Sequence, residues 1–506
     1  MCTFNRIILL ASITAILSSC GESKLSKPLN GSVRPNIIYI LADDLGYGDT
    51  GPYGQTKIET PGLDGLAESG MRFTQHYAGA AVCAPSRCVL LTGLHTGHSQ
   101  VRGNDEWADR GEVWNYKAMI ADSTLEGQRP IAPGTRTVGR LLQEAGYVTA
   151  AVGKWGLGAP NTEGIPNKQG FDFFFGYNCQ RQAHTYYPVH LYRNERRVYL
   201  NNDTIAPHTG LAEGADPLNI KNYDRFTLKE YSPELMFNEI TNFINDNSQK
   251  PFFLYWATTI PHLALQAPKE WVDRYVEKFG DEKPYTGDNG YFPARYPHAT
   301  YAAMVSYLDD QIGKVIQQLK ELGIYDNTVI LFSSDNGPAY NAGTDSPWFD
   351  SGGPFRSEYG YGKGFLHEGG IRVPLIVSWP GVVKPGSVSD LQSAFWDILP
   401  TLCDIAGVQG PQNIDGISFM PELMGKKQKK HEFLYWETNE YGGQQAVLLH
   451  NMKAIRKDMN KGNKVFELYN LDTDPQETTD IALKYPHIIR KVTEIADREH
   501  TDPQQK

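Results

Sequence analysis

Four short apolar runs constrain this chain more than any other feature: Asn36-Ile37-Ile38-Tyr39-Ile40-Leu41, Phe252-Phe253-Leu254-Tyr255-Trp256-Ala257, Val329-Ile330-Leu331-Phe332 and Val373-Pro374-Leu375-Ile376-Val377. A strand with one wet face alternates apolar and polar residues, so an unbroken run belongs in a sheet covered on both faces. Helical patterns lie between the runs. Thr60-Pro61 opens a helix through Leu63, Leu66 and Ala67 that stops near Gly70. Thr137 to Ala145 reads as a second helix, halted by Gly146 and followed by a strand at Val148 to Val152. The longest helix is expected from Tyr301 to Leu322, with Val305, Leu308, Ile312, Val315, Ile316 and Leu319 on its buried face and Gly323 ending it. This alternation predicts an α/β fold, a large mostly parallel or mixed sheet flanked by helices.

The pattern changes after Gly407. Leu434 to Trp436, Gln445 to Leu449, Lys453 to Arg456 and Val465 to Tyr469 are short strand-like pieces, followed by a helix near Ile488 to Ala496. They predict a smaller α+β subdomain at 408–506 carrying an antiparallel sheet, beside a main domain at 34–407. The stretch from about 160 to 235, rich in Asn, Tyr, Gly and Pro, reads as long loops, which in a compact domain are usually functional. At the N-terminus, Arg6 and the apolar segment Ile7 to Leu17 form a signal peptide over 1–19, too short to span a bilayer. Leu17-Ser18-Ser19-Cys20 resembles a lipoprotein box, so export is expected, with a lipid anchor at Cys20, a polar tether over 20–33, and a home in the periplasm or at the outer membrane or cell surface. A net charge of −10 and the lack of a long basic tract argue against nucleic acid as a partner.

The polar residues that carry chemistry follow the strands, where open α/β sheets bind ligands. Asp43-Asp44 follows the first apolar run, and Asp335-Asn336 follows the run at 329–332. Asp and Asn favour such turns in any protein. Two such pairs, however, supply three carboxylates and an amide oxygen, a hard donor set for a divalent cation such as calcium. Between them in sequence lies Val82-Cys83-Ala84-Pro85-Ser86-Arg87-Cys88-Val89-Leu90-Leu91-Thr92-Gly93, with a proline at a helix entry and an apolar helical pattern after it.

This last stretch resembles the signature of the formylglycine-dependent sulfatases of the alkaline phosphatase superfamily, and both acidic pairs match that family's metal motifs. The similarity extends from about Pro35 to Leu471. It implies the superfamily's sheet core, oxidation of Cys83 to formylglycine by a maturation enzyme, and a cation, Ca2+ or alternatively Mg2+, held by Asp43, Asp44, Asp335, Asn336 and the modified residue 83. It further implies that Arg87 holds the hydrated aldehyde and the carboxylates. Lys154 in Gly153-Lys154-Trp155-Gly156 and Lys363 in Gly362-Lys363-Gly364 resemble the two sulfate-binding lysines, and His262 in Ile260-Pro261-His262 resembles the histidine that protonates the departing alcohol. One departure stands out. Many relatives carry histidine two residues after the lysine equivalent to Lys154, and this chain has Gly156, which leaves the base that expels sulfate open.

For the substrate pocket, Arg102 and Asn104 follow the cysteine helix, while His184 sits in a second loop with Gln182, Tyr186 and Tyr187. His184 is the preferred candidate and His367 the next. The reading is an exo-acting carbohydrate sulfatase on galactose or N-acetylgalactosamine type units. Its rivals are a phosphatase, phosphodiesterase or phosphonate monoester hydrolase of the same superfamily, and an unmatured glycan-binding lipoprotein.

Overall fold

The computed structural model of the chain describes residues 34–502; the signal peptide, Cys20 and the whole of the tether lie outside the described residues. Asn36–Ala42 is the hub of the fold. Its side chains alternate between two apolar cores, with Ile37, Tyr39 and Leu41 in one and Ile38, Ile40 and Ala42 in the other, and every one is buried. Both faces of the sheet are therefore covered, which is why the run carries no polar position.

The sheet has ten strands, in the order Ser387–Ser389, Met71–Phe73, Leu375–Ser378, Thr328–Ser334, Asn36–Ala42, Phe252–Ala257, Val148–Lys154, Phe173–Tyr177, His190–Arg193 and Arg196–Tyr199. The block from Thr328–Ser334 to Phe173–Tyr177 is parallel throughout. Leu375–Ser378 and the two strands after Phe173–Tyr177 run antiparallel to their neighbours, so the sheet is mixed. Those last strands correct the expectation of loops across 160–235. Phe173, Phe174 and Phe175 supply strand propensity that the surrounding Asn and Gly conceal.

Helices Cys83–Thr92 and Val138–Glu144 contribute to one core, while Ser232–Asn247 and the long Pro297–Glu321 helix contribute to the other. Leu434–Thr438, Gln444–Leu449, Met452–Arg456 and Glu467–Asn470 form a separate antiparallel sheet. Its Leu434, Trp436 and Leu448 join the main core, and its opposite side packs Tyr435, Val447 and Leu468 against Val492 and Ile495 of the helix Pro486–Glu499. Among the described residues no helix is long and apolar enough to cross a membrane. The four described cysteines, Cys83, Cys88, Cys179 and Cys403, are buried and unpaired.

Candidate functional site

Four neighbouring parallel strands end at one edge and deliver the site. Ala42 is in register with Ser334, Leu41 with Ala257, and Ala257 with Gly153. The residues just past those ends are Asp43-Asp44, Asp335-Asn336, the segment leading to His262, and Lys154, the last residue of its strand. Hydrogen bonds lock the ends together: Asp335 N donates to Ala42 O at 3.0 Å, Asp43 N to Ile260 O at 3.0 Å, and Asp44 N to Asp335 Oδ1 at 3.1 Å. Asp44 adopts φ 62°, an uncommon left-handed conformation for a side chain other than glycine. Such strain persists where the surroundings over-determine it.

Cys83 opens the helix Cys83–Thr92, facing these carboxylates, with its Sγ 3.3 Å from Asp43 Oδ1 and 4.0 Å from Asp44 Oδ1. The loop before it is pinned where Gly79 N donates to Ser86 Oγ at 3.1 Å, and Asn104 Oδ1 accepts from Ala84 N at 2.8 Å. Arg87, one turn further on, is fully buried. Its Nε and Nη2 reach Asp335 Oδ2 at 3.0 and 2.8 Å, Nη2 lies 3.2 Å from Asp43 Oδ2, and Nη1 donates to Lys154 O at 2.7 Å. A buried guanidinium is tolerable only with its donors occupied in this way.

The two lysines flank the carboxylates. Lys154 Nζ is 2.7 Å from Asp43 Oδ2 and 3.5 Å from Cys83 Sγ, and Lys363 Nζ donates to Asp44 Oδ2 at 2.7 Å. The glycines around Lys363 permit close approach: Gly364 has φ 89°, donates to Ala81 O at 2.8 Å, and a Cβ there would fall 2.5 Å from the Tyr441 ring. His262 Nδ1 bonds Leu263 O at 2.5 Å, which leaves Nε2 turned to Asp44 Oδ2 at 3.6 Å. Burial, then Lys154 and Lys363, push the His262 ring well below the usual histidine range. Burial raises the Cys83 thiol, with Asp335 and Asp43 adding to it, so as a plain cysteine it stays protonated and a weak nucleophile. Burial works against ionisation of Asp43, but Lys154 above all holds it below the usual carboxylate range; Asp335, raised by burial and by Asp43, moves to about 6.

The donor chemistry fits a divalent cation. Asp43, Asp44, Cys83 and His262 offer ligand atoms within 4.8 Å of one another, and Asp335 and Asn336 adjoin them. Asn336 Nδ2 donates to Asp44 Oδ1 at 2.7 Å, whereas Asn336 Oδ1 is buried with no hydrogen-bond partner. An orphaned amide oxygen among carboxylates is a hard donor awaiting a hard ion. The three carboxylates are matched by Arg87, Lys154 and Lys363, so a bound dication tips the local field positive, as an anionic substrate requires.

Of the expected substrate contacts, only His184 enters the site. Its ring stacks on His262 with centroids 5.3 Å apart and planes at 18°. Tyr291 N donates to His208 Nδ1 at 2.8 Å, so the His208 proton sits on Nε2 and points to His184 Nδ1 at 3.3 Å. His184 then carries its own proton on Nε2, as a donor. Arg102 is a correction: its guanidinium bonds Ser99 O, Gly97 O, Thr501 and the Glu437 carboxylate, tying the loop to the C-terminal sheet. Asn104 serves the cysteine helix. His367 is also corrected; it is buried between Tyr361 and Tyr469, with centroids at 4.5 and 6.3 Å, and neither ring nitrogen has a partner. Tyr186 OH bonds Thr259 O and His262 O at 2.6 and 2.7 Å, shaping the turn that carries His262.

The sequence reading missed His208, Tyr291, Tyr340 and Tyr441. The three tyrosines line a cavity of about 60 Å3 with Asp44, Leu263, Asn341 and Lys363. They come from unrelated segments, and no local pattern marks them.

Residues 35–408 match the family described as Sulfatase, and residues 357–499 the family described as N-sulphoglucosamine sulphohydrolase, C-terminal. The N-acetylgalactosamine-6-O-sulfatase of Bacteroides thetaiotaomicron is 28% identical, over 97% of this chain and 98% of its own. The N-acetylgalactosamine-6-sulfatase of Homo sapiens is 31% identical, covering 79% of this chain and 68% of its own. Among solved structures, Ps i-CgsB in complex with k-i-k-neocarrahexaose superimposes with a TM-score of 0.71 at 26% identity, over 93% of this chain and 94% of that one.

Proposed function

The chain belongs to the sulfatase family, and we propose that it is an exo-acting carbohydrate sulfatase that removes a sulfate ester from galactose or N-acetylgalactosamine type units of a sulfated glycan. The observation that carries this reading is the meeting of Cys83, Arg87, Lys154, His262 and Lys363 with two acidic pairs at one sheet edge. In this reading Cys83 is matured to formylglycine by a separate enzyme, and calcium is held by Asp43, Asp44, Asp335, Asn336 and residue 83. Together, when present, they supply an oxygen nucleophile and a positive charge for the sulfuryl oxygens.

The chain's own residues do the rest. Arg87 fixes the Asp43 and Asp335 carboxylates so that they present one geometry. Lys154 and Lys363 sit on either side and balance charge as the ester bond stretches. His262 is set by its Nδ1 bond to Leu263 O, so its Nε2 is the atom that hands a proton to the departing sugar oxygen. The negative charge of a bound sulfate ester favours the protonated ring that this step needs. His184 donates from Nε2 to the bound ester or sugar.

The export signal and the lipoprotein box at Cys20 support a lipid-anchored protein at the periplasmic or outer face of a membrane, divided into a catalytic domain at 34–407 and a C-terminal subdomain at 408–506. The test is a desulfation screen on defined sulfated galactose and N-acetylgalactosamine saccharides, with Cys83→Ala as control and mass analysis of the Cys83 peptide. Turnover of phosphate esters in preference to matched sulfate esters, or full activity in Cys83→Ala, would overturn the reading.

A further inference from the structure

We propose that the surface cleft beside the catalytic cavity is a subsite for a second, uncharged sugar unit of the same glycan, an inference that rests on the carbohydrate sulfatase reading above. The catalytic cavity, at about 60 Å3, is small, and its walls include Tyr340 and Asn341. The same two residues wall a neighbouring cleft of about 360 Å3, closed on the other side by the turn around 283–289. The two spaces thus share one wall, and a chain leaving the cavity past Tyr340 enters the cleft.

The frame of the cleft is held firmly. Tyr285 and Ala294 exchange backbone hydrogen bonds of 2.9 and 3.0 Å, Asn289 N donates to Tyr285 OH at 3.0 Å, and Thr286 Oγ1 donates to Asp288 Oδ1 at 3.1 Å. Opposite, the Thr344 backbone and hydroxyl both donate to Asn341 O, at 3.0 and 2.6 Å. The groups presented to the cleft are less committed: the side-chain amides of Asn289 and Asn341 and the Lys283 ammonium have no partner among the described residues. A rigid frame carrying unspent amide donors and acceptors suits a ligand covered in hydroxyls, because little ordering cost falls on the protein. Tyr340 adds an aromatic surface at the junction, braced edge-on by Tyr359 at 5.6 Å between centroids.

Charge decides which sugar. The sulfate-binding cavity has the buried Lys154 and the half-buried Lys363 over its carboxylates, whereas the cleft has one exposed Lys283 balanced by Asp288. A second sulfate would find no comparable field there, so the occupant is a neutral unit.

The experiment compares kcat/KM for a sulfated monosaccharide with that for a disaccharide and a tetrasaccharide carrying the same sulfated terminal unit and neutral neighbours. It uses wild type, a triple Lys283→Ala/Asp288→Ala/Asn289→Ala variant, and Asn289→Trp, which fills the cleft. The wild type is expected to favour the disaccharide by about tenfold, the equivalent of about 1.4 kcal/mol, with little further gain for the tetrasaccharide. Both variants should erase that advantage while leaving monosaccharide turnover within about twofold of wild type. Equal kcat/KM for mono- and disaccharide in the wild type, or variants that slow both alike, would overturn the subsite alone. Wild type inactive on every saccharide would overturn the functional reading, and the subsite with it.

Discussion

The Nε2 atom of Gln180 occupies the space that a side chain at position 156 would need: a Cβ on Gly156 would lie 1.9 Å from it. Gly156 also has φ 79°, and both amide atoms of Gln180 are buried without a hydrogen-bond partner. The departure from histidine at 156 is therefore paired with a polar side chain from another segment filling the same place. Gly156→Ala should destabilise the protein by about 1–3 kcal/mol through strain and clash. Adding Gln180→Ala should recover part of that loss, with a coupling of about 0.5–3 kcal/mol measured by urea unfolding of the four proteins. Strictly additive effects would mean that the two positions do not compete.

His262 faces the site through Nε2, and its role as proton donor makes its removal depend on the leaving group. His262→Ala should lower kcat on a sulfated sugar by about 10^2–10^4. The loss on 4-nitrophenyl sulfate should be much smaller, because nitrophenolate leaves without a proton. Equal losses on both esters would remove the assignment.

Arg102 and Glu437 form a buried pair, each side chain 8% exposed, that joins the loop after the cysteine helix to the C-terminal sheet. Breaking a buried pair strands a charge, so Arg102→Ala should cost about 3–5 kcal/mol of stability. KM measured well below the unfolding temperature should stay near wild type. A large rise in KM without loss of stability would restore Arg102 to the substrate pocket.

A histidine and carboxylate cluster at the same junction predicts a pH signature. The hydrogen bond to His95 is the largest influence on Glu499 and takes its carboxyl down to about 2. Its folded value thus lies below the unfolded one, so its contribution is present above pH of about 4.5 and is lost as pH falls toward 2. His98 moves the other way, raised chiefly by its bond to Asp415 at 2.9 Å, so its contribution is full below about 6.5 and fades as pH rises through the folded value. The gap in thermal midpoint between wild type and Glu499→Gln should therefore shrink between pH 4.5 and 2, and the gap to His98→Asn should shrink above neutrality. Gaps that do not vary with pH would show that these groups do not couple to folding.

Much of the site could be read before any fold was known, for one reason: it is built at strand ends. Unbroken apolar runs mark strands covered on both faces, and Asp43-Asp44, Asp335-Asn336 and Lys154 stand at their ends or within two residues beyond. The strands between 173 and 199 escaped notice because two are short hairpin strands carrying Arg and Tyr, the second of them with no buried residue.

The sequence by itself determined the types of the central elements, their buried faces and the residues that close each central strand, since backbone preference and apolar period are local properties. The tertiary structure alone decided which side chains meet. It sent Arg102 to Glu437 and His367 between two tyrosines, and it brought the rings of His184, His208 and His262 against Tyr291, which lines the cavity with Tyr441. Partners so far apart along the chain are chosen by strand order and register, which arise from the packing of the whole core and leave no mark in the neighbouring residues.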